Sequence, residues 1–267
     1  MSRRTRKGGR GADAGGQRAA ATQITLSEEA GIRYLHFGSP WVQGAMRISK
    51  PDELVLDYVQ QMMAWLLFLP APQRILQLGL GAGSLTRFCL RHCPASAVTV
   101  VELSPEVIDA AHAWFALPAD HARLDVVCAD AQDFVSRPGE RGRYGVIQVD
   151  LYDMQARGPA IESNAFYRAC VDALAPPGVC VVNLFGRDSS YDRNLARISR
   201  VFEGRVIELP PGRAGNRVVL GFKGPPLAFD WRMMEWRGSE VRRLCGLPAH
   251  EWVMALRRRM RGPVCAV

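Results

Sequence analysis

The chain carries two spacings of apolar residues. Short apolar runs at residues 74–78, 97–102, 124–128, 144–149, 179–185, 204–208 and 217–222 are bounded by Gly, Pro, Asp or Arg and have the length and composition of strands. Between them, residues 84–92, 105–116, 163–175 and 190–202 repeat their apolar positions every three to four residues, the period of an amphipathic helix. Strands that alternate with helices predict a largely parallel sheet covered on both faces. The last two strand candidates have no helix between them. Pro210, Pro211, Gly212 and Gly215 mark a tight excursion there, so the last strand is expected to run against its neighbours.

The pattern therefore predicts an α/β fold of the class I methyltransferase-like (Rossmann-like) type, a seven-stranded sheet with a reversed last strand. Upstream, residues 32–37 and 41–46 read as a β-hairpin turning at Gly38-Ser39-Pro40. Residues 54–69 read as a helix, with Ser49 offered as a cap and Asp52 and Glu53 as early acids. Beyond Lys223, Trp231, Trp236 and Trp252 stand among arginines, and amphipathic helices are expected. Four parts result: a basic tail over 1–22, a small hairpin and helix region over 23–70, a catalytic domain over 71–224, and a helical extension over 225–267.

Composition narrows the class. With 267 residues, 48% of them apolar, the chain can bury a large core. The longest apolar run, Met62 to Leu69, is too short to span a bilayer, and the N-terminus lacks the apolar segment of a signal peptide. A cytoplasmic protein without membrane contact is expected. The seven cysteines are odd in number and scattered, unlike a disulfide framework. Cys89 and Cys93 share a helix face, but no second ligand pair follows, so no metal is expected. The net charge of +8 sits at the ends: residues 1–20 carry +5 and residues 231–267 another +5, which leaves −2 between them. The tail reads as disordered, with no more than weak contact to nucleic acid.

The candidate chemistry lies in the middle. Gly79-Leu80-Gly81-Ala82-Gly83 follows the first strand of the body and opens a helix. Glycines let the backbone turn sharply and approach a ligand. Glu102 ends the next strand, where a carboxylate accepts the hydroxyl hydrogens of a ribose. Asp130 ends the third strand, where it can accept from an adenine amine or cap the helix that follows. Strand, turn, helix, strand and carboxylate within one βαβ length point to an adenosine-containing cofactor. The fourth strand ends in Asp150-Leu151-Tyr152-Asp153. Two neighbouring acids can hold a cationic amine, and one can take its proton, since an amine attacks only when neutral.

Gln43, Gly79-Leu80-Gly81-Ala82-Gly83, Glu102, Asp130-Ala131, Asp150-Leu151-Tyr152-Asp153, Gly158-Pro159-Ala160 and Asn164-Ala165-Phe166-Tyr167 occur in the order that resembles the spermidine synthase family, the polyamine aminopropyltransferases. The resemblance covers roughly residues 32–222. It implies transfer of the aminopropyl group of decarboxylated S-adenosylmethionine to a diamine such as putrescine, giving spermidine and methylthioadenosine. It implies Asp150 as the base, with Asp153, Tyr152 and Pro159 at the diamine. Gln43, Gly79, Gly81, Gly83, Glu102, Asp130 and Ala131 would then hold the cofactor. Ala82 stands where the family usually has an Asp for the aminopropyl amine. The family's helix Tyr and His fall at Leu56 and Met62, and a two-residue shift brings in Tyr58. These departures keep two alternatives open: a methyltransferase using intact S-adenosylmethionine, and a non-catalytic nucleoside- or polyamine-binding relative. A homo-oligomer, a dimer by family analogy, is also expected.

Overall fold

The computed structural model describes residues 23–38, 41–151, 163–185, 191–212, 215–260 and 262–267. The basic tail over 1–22 and the sequence-predicted site residues Tyr152, Asp153 and Pro159 lie outside them.

The N-terminal region is a three-stranded antiparallel sheet of β1 (Ile24–Glu29), β2 (Ile32–Phe37) and β3 (Val42–Arg47), followed by α1 (Asp57–Gln61). The predicted hairpin is β2–β3; β1 is an addition. Its alternation is faint because five of its six residues are exposed. It joins β2 through Ala30 and Gly31, both with positive φ, in a two-residue turn.

The central sheet contains β4 (Arg74–Leu78), β5 (Ala97–Glu102), β6 (Leu124–Cys128), β7 (Tyr144–Val149), β8 (Leu174–Phe185), β9 (Val206–Glu208) and β10 (Asn216–Lys223). The linking helices are α2 (Ser84–His92), α3 (Pro105–Trp114), α4 (Ala131–Val135), α5 (Asn164–Ala173) and α6 (Tyr191–Val201). Strand order is β6-β5-β4-β7-β8-β10-β9. The first five are parallel, and β10 runs antiparallel to both β8 and β9. This is the predicted seven-stranded sheet with its reversed last strand.

Each face of the sheet has its own core. Val146, Val181, Val218 and Leu220 meet α1, α2 and the C-terminal helices α7 (Trp231–Cys245) and α8 (Ala249–Arg259). Ile147, Val182, Leu184 and Val219 meet α4, α5 and α6 on the other face. The alternation of strand side chains sorts them. The expected C-terminal helices are present, flanked by β11 (Ala228–Asp230) and β12 (Val264–Ala266), a short antiparallel ribbon that the sequence did not reveal. Arg237 fastens α7 to the body by donating to the Leu67 and Phe68 carbonyls at 3.0 and 2.9 Å.

The helix predicted over 54–69 is broken, and Ser49 does not cap it. It becomes α1 and a 3₁₀ turn over Ala64–Leu67, with Leu56 at the α1 N-cap and no side-chain cap. Met62, Met63, Ala64, Trp65 and Leu67 are all wholly buried. At the break, the Met62 carbonyl accepts from Gln148 Nε2 at 3.0 Å, and Leu66 N–H turns to Met63 O at 3.1 Å. Among the described residues, no helix is long and apolar enough to cross a membrane.

Candidate active site

The glycine turn lies between two strand ends. Gly79 N–H donates to Val101 O at 2.8 Å, and Asp150 N–H donates to Leu78 O at 2.9 Å. The φ of Gly79 is +96°, and a Cβ there would lie 2.2 Å from the Asp150 carbonyl oxygen. Gly83, φ +66°, is the N-cap of α2. On the other side the N-terminal sheet closes over the turn. A Cβ on Gly44 would meet the Ala82 methyl at 2.5 Å, and one on Gly81 would meet Gln43 O at 3.2 Å. Ser84 Oγ donates to Ala45 O at 2.9 Å. The expected Gln43 is therefore beside the turn, on β3.

Ala82 is buried with Leu35, Met46 and Phe115. It cannot hold an amine; it seats the N-terminal sheet. Behind it lies Arg87, whose burial lowers its pKa to about 10. Its guanidinium donates to Phe115 O at 2.6 Å and Pro51 O at 2.7 Å, and also to Ala82 O. A buried cation is tolerated there because carbonyl dipoles surround it.

Glu102, at the end of β5, accepts from Leu80 N at 3.0 Å through Oε2 and from Ser104 N at 3.0 Å through Oε1. Both bonds fix the rotamer, and each oxygen keeps a lone pair for another donor. Asp130 follows β6 and is exposed. One of its oxygens caps α4 by accepting from Asp133 N at 2.9 Å. The cap reading is thus realised, with Oδ2 left for another partner. Ala131, the first residue of α4, is buried.

Asp150 follows β7. Burial raises the pKa of its carboxyl, while hydrogen bonds from Asn183 and Tyr58 work against that rise. Asn183 Nδ2 donates to Asp150 Oδ1 at 2.8 Å. Tyr58 lies on α1 and reaches Asp150. Sequence reasoning missed Asn183. A polar residue inside the apolar run 179–185 was the available signal, since a buried amide needs a partner.

The spermine/spermidine synthase domain model matches residues 52–190. A polyamine aminopropyltransferase of Chromobacterium violaceum is 37% identical over 239 residues, 90% of this chain and 91% of that protein. The chain belongs to the spermine/spermidine synthase family.

Solved structures agree on the fold. A probable spermidine synthase from Corynebacterium glutamicum superposes with a TM-score of 0.69 at 22% identity, covering 92% of this chain and 95% of that one. A spermidine synthase in complex with the transition-state analogue AdoDATO gives 0.59 at 24% identity, covering 75% and 74%. For this family member, the family match spans the turn, Glu102, Asp130 and Asp150 together.

Proposed function

We propose that the protein is a polyamine aminopropyltransferase that moves the aminopropyl group of decarboxylated S-adenosylmethionine to a diamine such as putrescine. The observation that carries the reading is Asp150, a buried carboxylate at the end of β7 whose backbone packs against the glycine turn, in a chain that matches aminopropyltransferases along nearly its whole length. Glu102 accepts from the ribose hydroxyls, the free oxygen of Asp130 faces the adenine amine, and the turn with Gly79, Gly81 and Gly83, tied to Glu102 through Leu80 N–H, borders the nucleoside. Gln43 contributes from the N-terminal sheet. Ala131, Tyr152, Asp153 and Pro159 complete the expected contacts.

The diamine nitrogen forms a bond to the methylene carbon beside the sulfonium, and that carbon–sulfur bond breaks. Its electron pair stays on sulfur as methylthioadenosine leaves. Asp150 takes the proton lost by the attacking amine. The sulfonium is a good leaving group already, so the protein mainly aligns nitrogen and carbon and removes the proton. The raised pKa of Asp150 suits this task, because a more basic carboxylate takes a proton more readily.

The test is product analysis with decarboxylated and intact S-adenosylmethionine offered separately with putrescine. Spermidine and methylthioadenosine are expected from the first only. Asp150→Asn should lower transfer by at least about a hundredfold, the usual contribution of a general base, while methylthioadenosine affinity holds. A methylated product from the intact cofactor would move the protein to methyl transfer, and binding without any product would make it a non-catalytic relative.

A further inference from the structure

Asp150 is held by a chain of two amides, Asn183 and Asn216. β7 and β8 are parallel, with Val149 beside Val182, so Asp150 and Asn183 come one step later on adjacent strands. β8 and β10 are antiparallel, with Val218 opposite Asn183, so Asn216 is the diagonal neighbour on the same face. That face also carries Val146, Val181 and Val218, the side covered by α1 and Tyr58. Asn183 is 1% exposed. Its Nδ2 donates to Asp150 Oδ1 at 2.8 Å, and its Oδ1 accepts from Asn216 Nδ2 at 3.1 Å.

We propose that Asn183 is a positioning residue for the base, and that Asn216 sets its orientation so that a donor always faces Asp150. An amide flipped at position 183 would aim oxygen at oxygen and favour a protonated Asp150. Asn216 opposes a flip of Asn183 alone, because the two amide nitrogens would then face each other. The pair thus donates to one carboxylate oxygen and favours the ionised, proton-accepting form. This works against the burial that favours the neutral acid. Among the described residues, the groups acting on Asp150 are Asn183 on β8 and Tyr58 on α1, and no charged side chain stands among them. The inference rests on Asp150 being the base of the proposed transfer.

The test compares wild type, Asn183→Leu and Asn216→Val by two readouts. One is the pH profile of kcat for aminopropyl transfer. The other is the pH titration of the Asp150 carboxyl followed by carbon-13 NMR, with its signal assigned by Asp150→Asn. In Asn183→Leu, both the acid limb and the titration should move to higher pH, with about a tenfold lower rate on the acid limb, the size expected for one charge-assisted hydrogen bond. Asn216→Val should move both in the same direction by less. A folded Asn183→Leu protein with limb and titration unmoved overturns the proposal. If Asn183→Leu does not fold, Asn216→Val decides, and unmoved values there overturn it equally. A wild type without transfer would sink the proposed function instead, and the carboxyl titration would still report whether Asn183 governs Asp150.

Discussion

Replacing Gly79 by Ala tests the contact on which the site is built. Two effects add at this position. An L-residue held at φ +96° is strained, by about 1–2 kcal/mol on the scale of left-handed backbone. The new methyl would also stand 2.2 Å from the Asp150 carbonyl oxygen and 3.1 Å from its carbon. A carbon–oxygen contact normally opens to about 3.3 Å, so the two strand ends must part by about 1 Å. They are tied by the Asp150 N–H bond to Leu78, so the movement is resisted and costs about 1–3 kcal/mol more. Gly31→Ala is the control. Its φ is +74°, yet a Cβ there would meet nothing within 4 Å, so it carries the strain alone. Calorimetry should show a loss of a few degrees in Tm for Gly31→Ala and roughly 5–15 °C for Gly79→Ala. Below both melting temperatures, kcat of Gly79→Ala should fall about a hundredfold, because the base shifts by about 1 Å, while Gly31→Ala keeps the wild-type value. Equal losses of Tm with unchanged kcat would show that Asp150 does not rest on the glycine turn.

Two further outcomes follow from the same geometry. Glu102→Ala removes the acceptor of Leu80 and Ser104 N–H along with the proposed ribose contact, so methylthioadenosine should bind at least about tenfold more weakly by calorimetric titration; an unchanged Kd would put the nucleoside elsewhere. Tyr58→Phe deletes a hydrogen bond that holds the Asp150 pKa down against burial. The pKa should then rise, so transfer is lost on the acid side of the pH profile and kept on the alkaline side; a limb that stays in place would mean that the phenol does not act on the base.

Much of the body was legible in the sequence, because strand and helix periods are local properties. Buried parallel strands read as short apolar runs, and Glu102, Asp130 and Asp150 stood out as carboxylates where those runs stop. Turn chemistry at Pro210 to Gly215 announced the reversed strand. The segment 54–69 misled for a related reason. Its apolar residues fit a helical period, but the helix stops where Gln148, distant in the chain, donates to the Met62 carbonyl, and that partner is not visible in a local pattern. The exposed β1 and the three-residue β11 and β12 give too little alternation to read.

The sequence by itself determined the element types, the glycine turn and the carboxylates at the strand ends, since each follows from neighbours a few residues away. The tertiary structure alone decided who stands beside Asp150. Tyr58, Asn183 and Asn216 are far apart in the chain, and α1, β8 and β10 bring them together through strand order and register. It also decided the role of Ala82, a lost polar contact in the linear motif and a buried seat for the N-terminal sheet in the folded protein. Local sequence sets the backbone period. A side chain's partners depend on which distant strand the sheet places next to it.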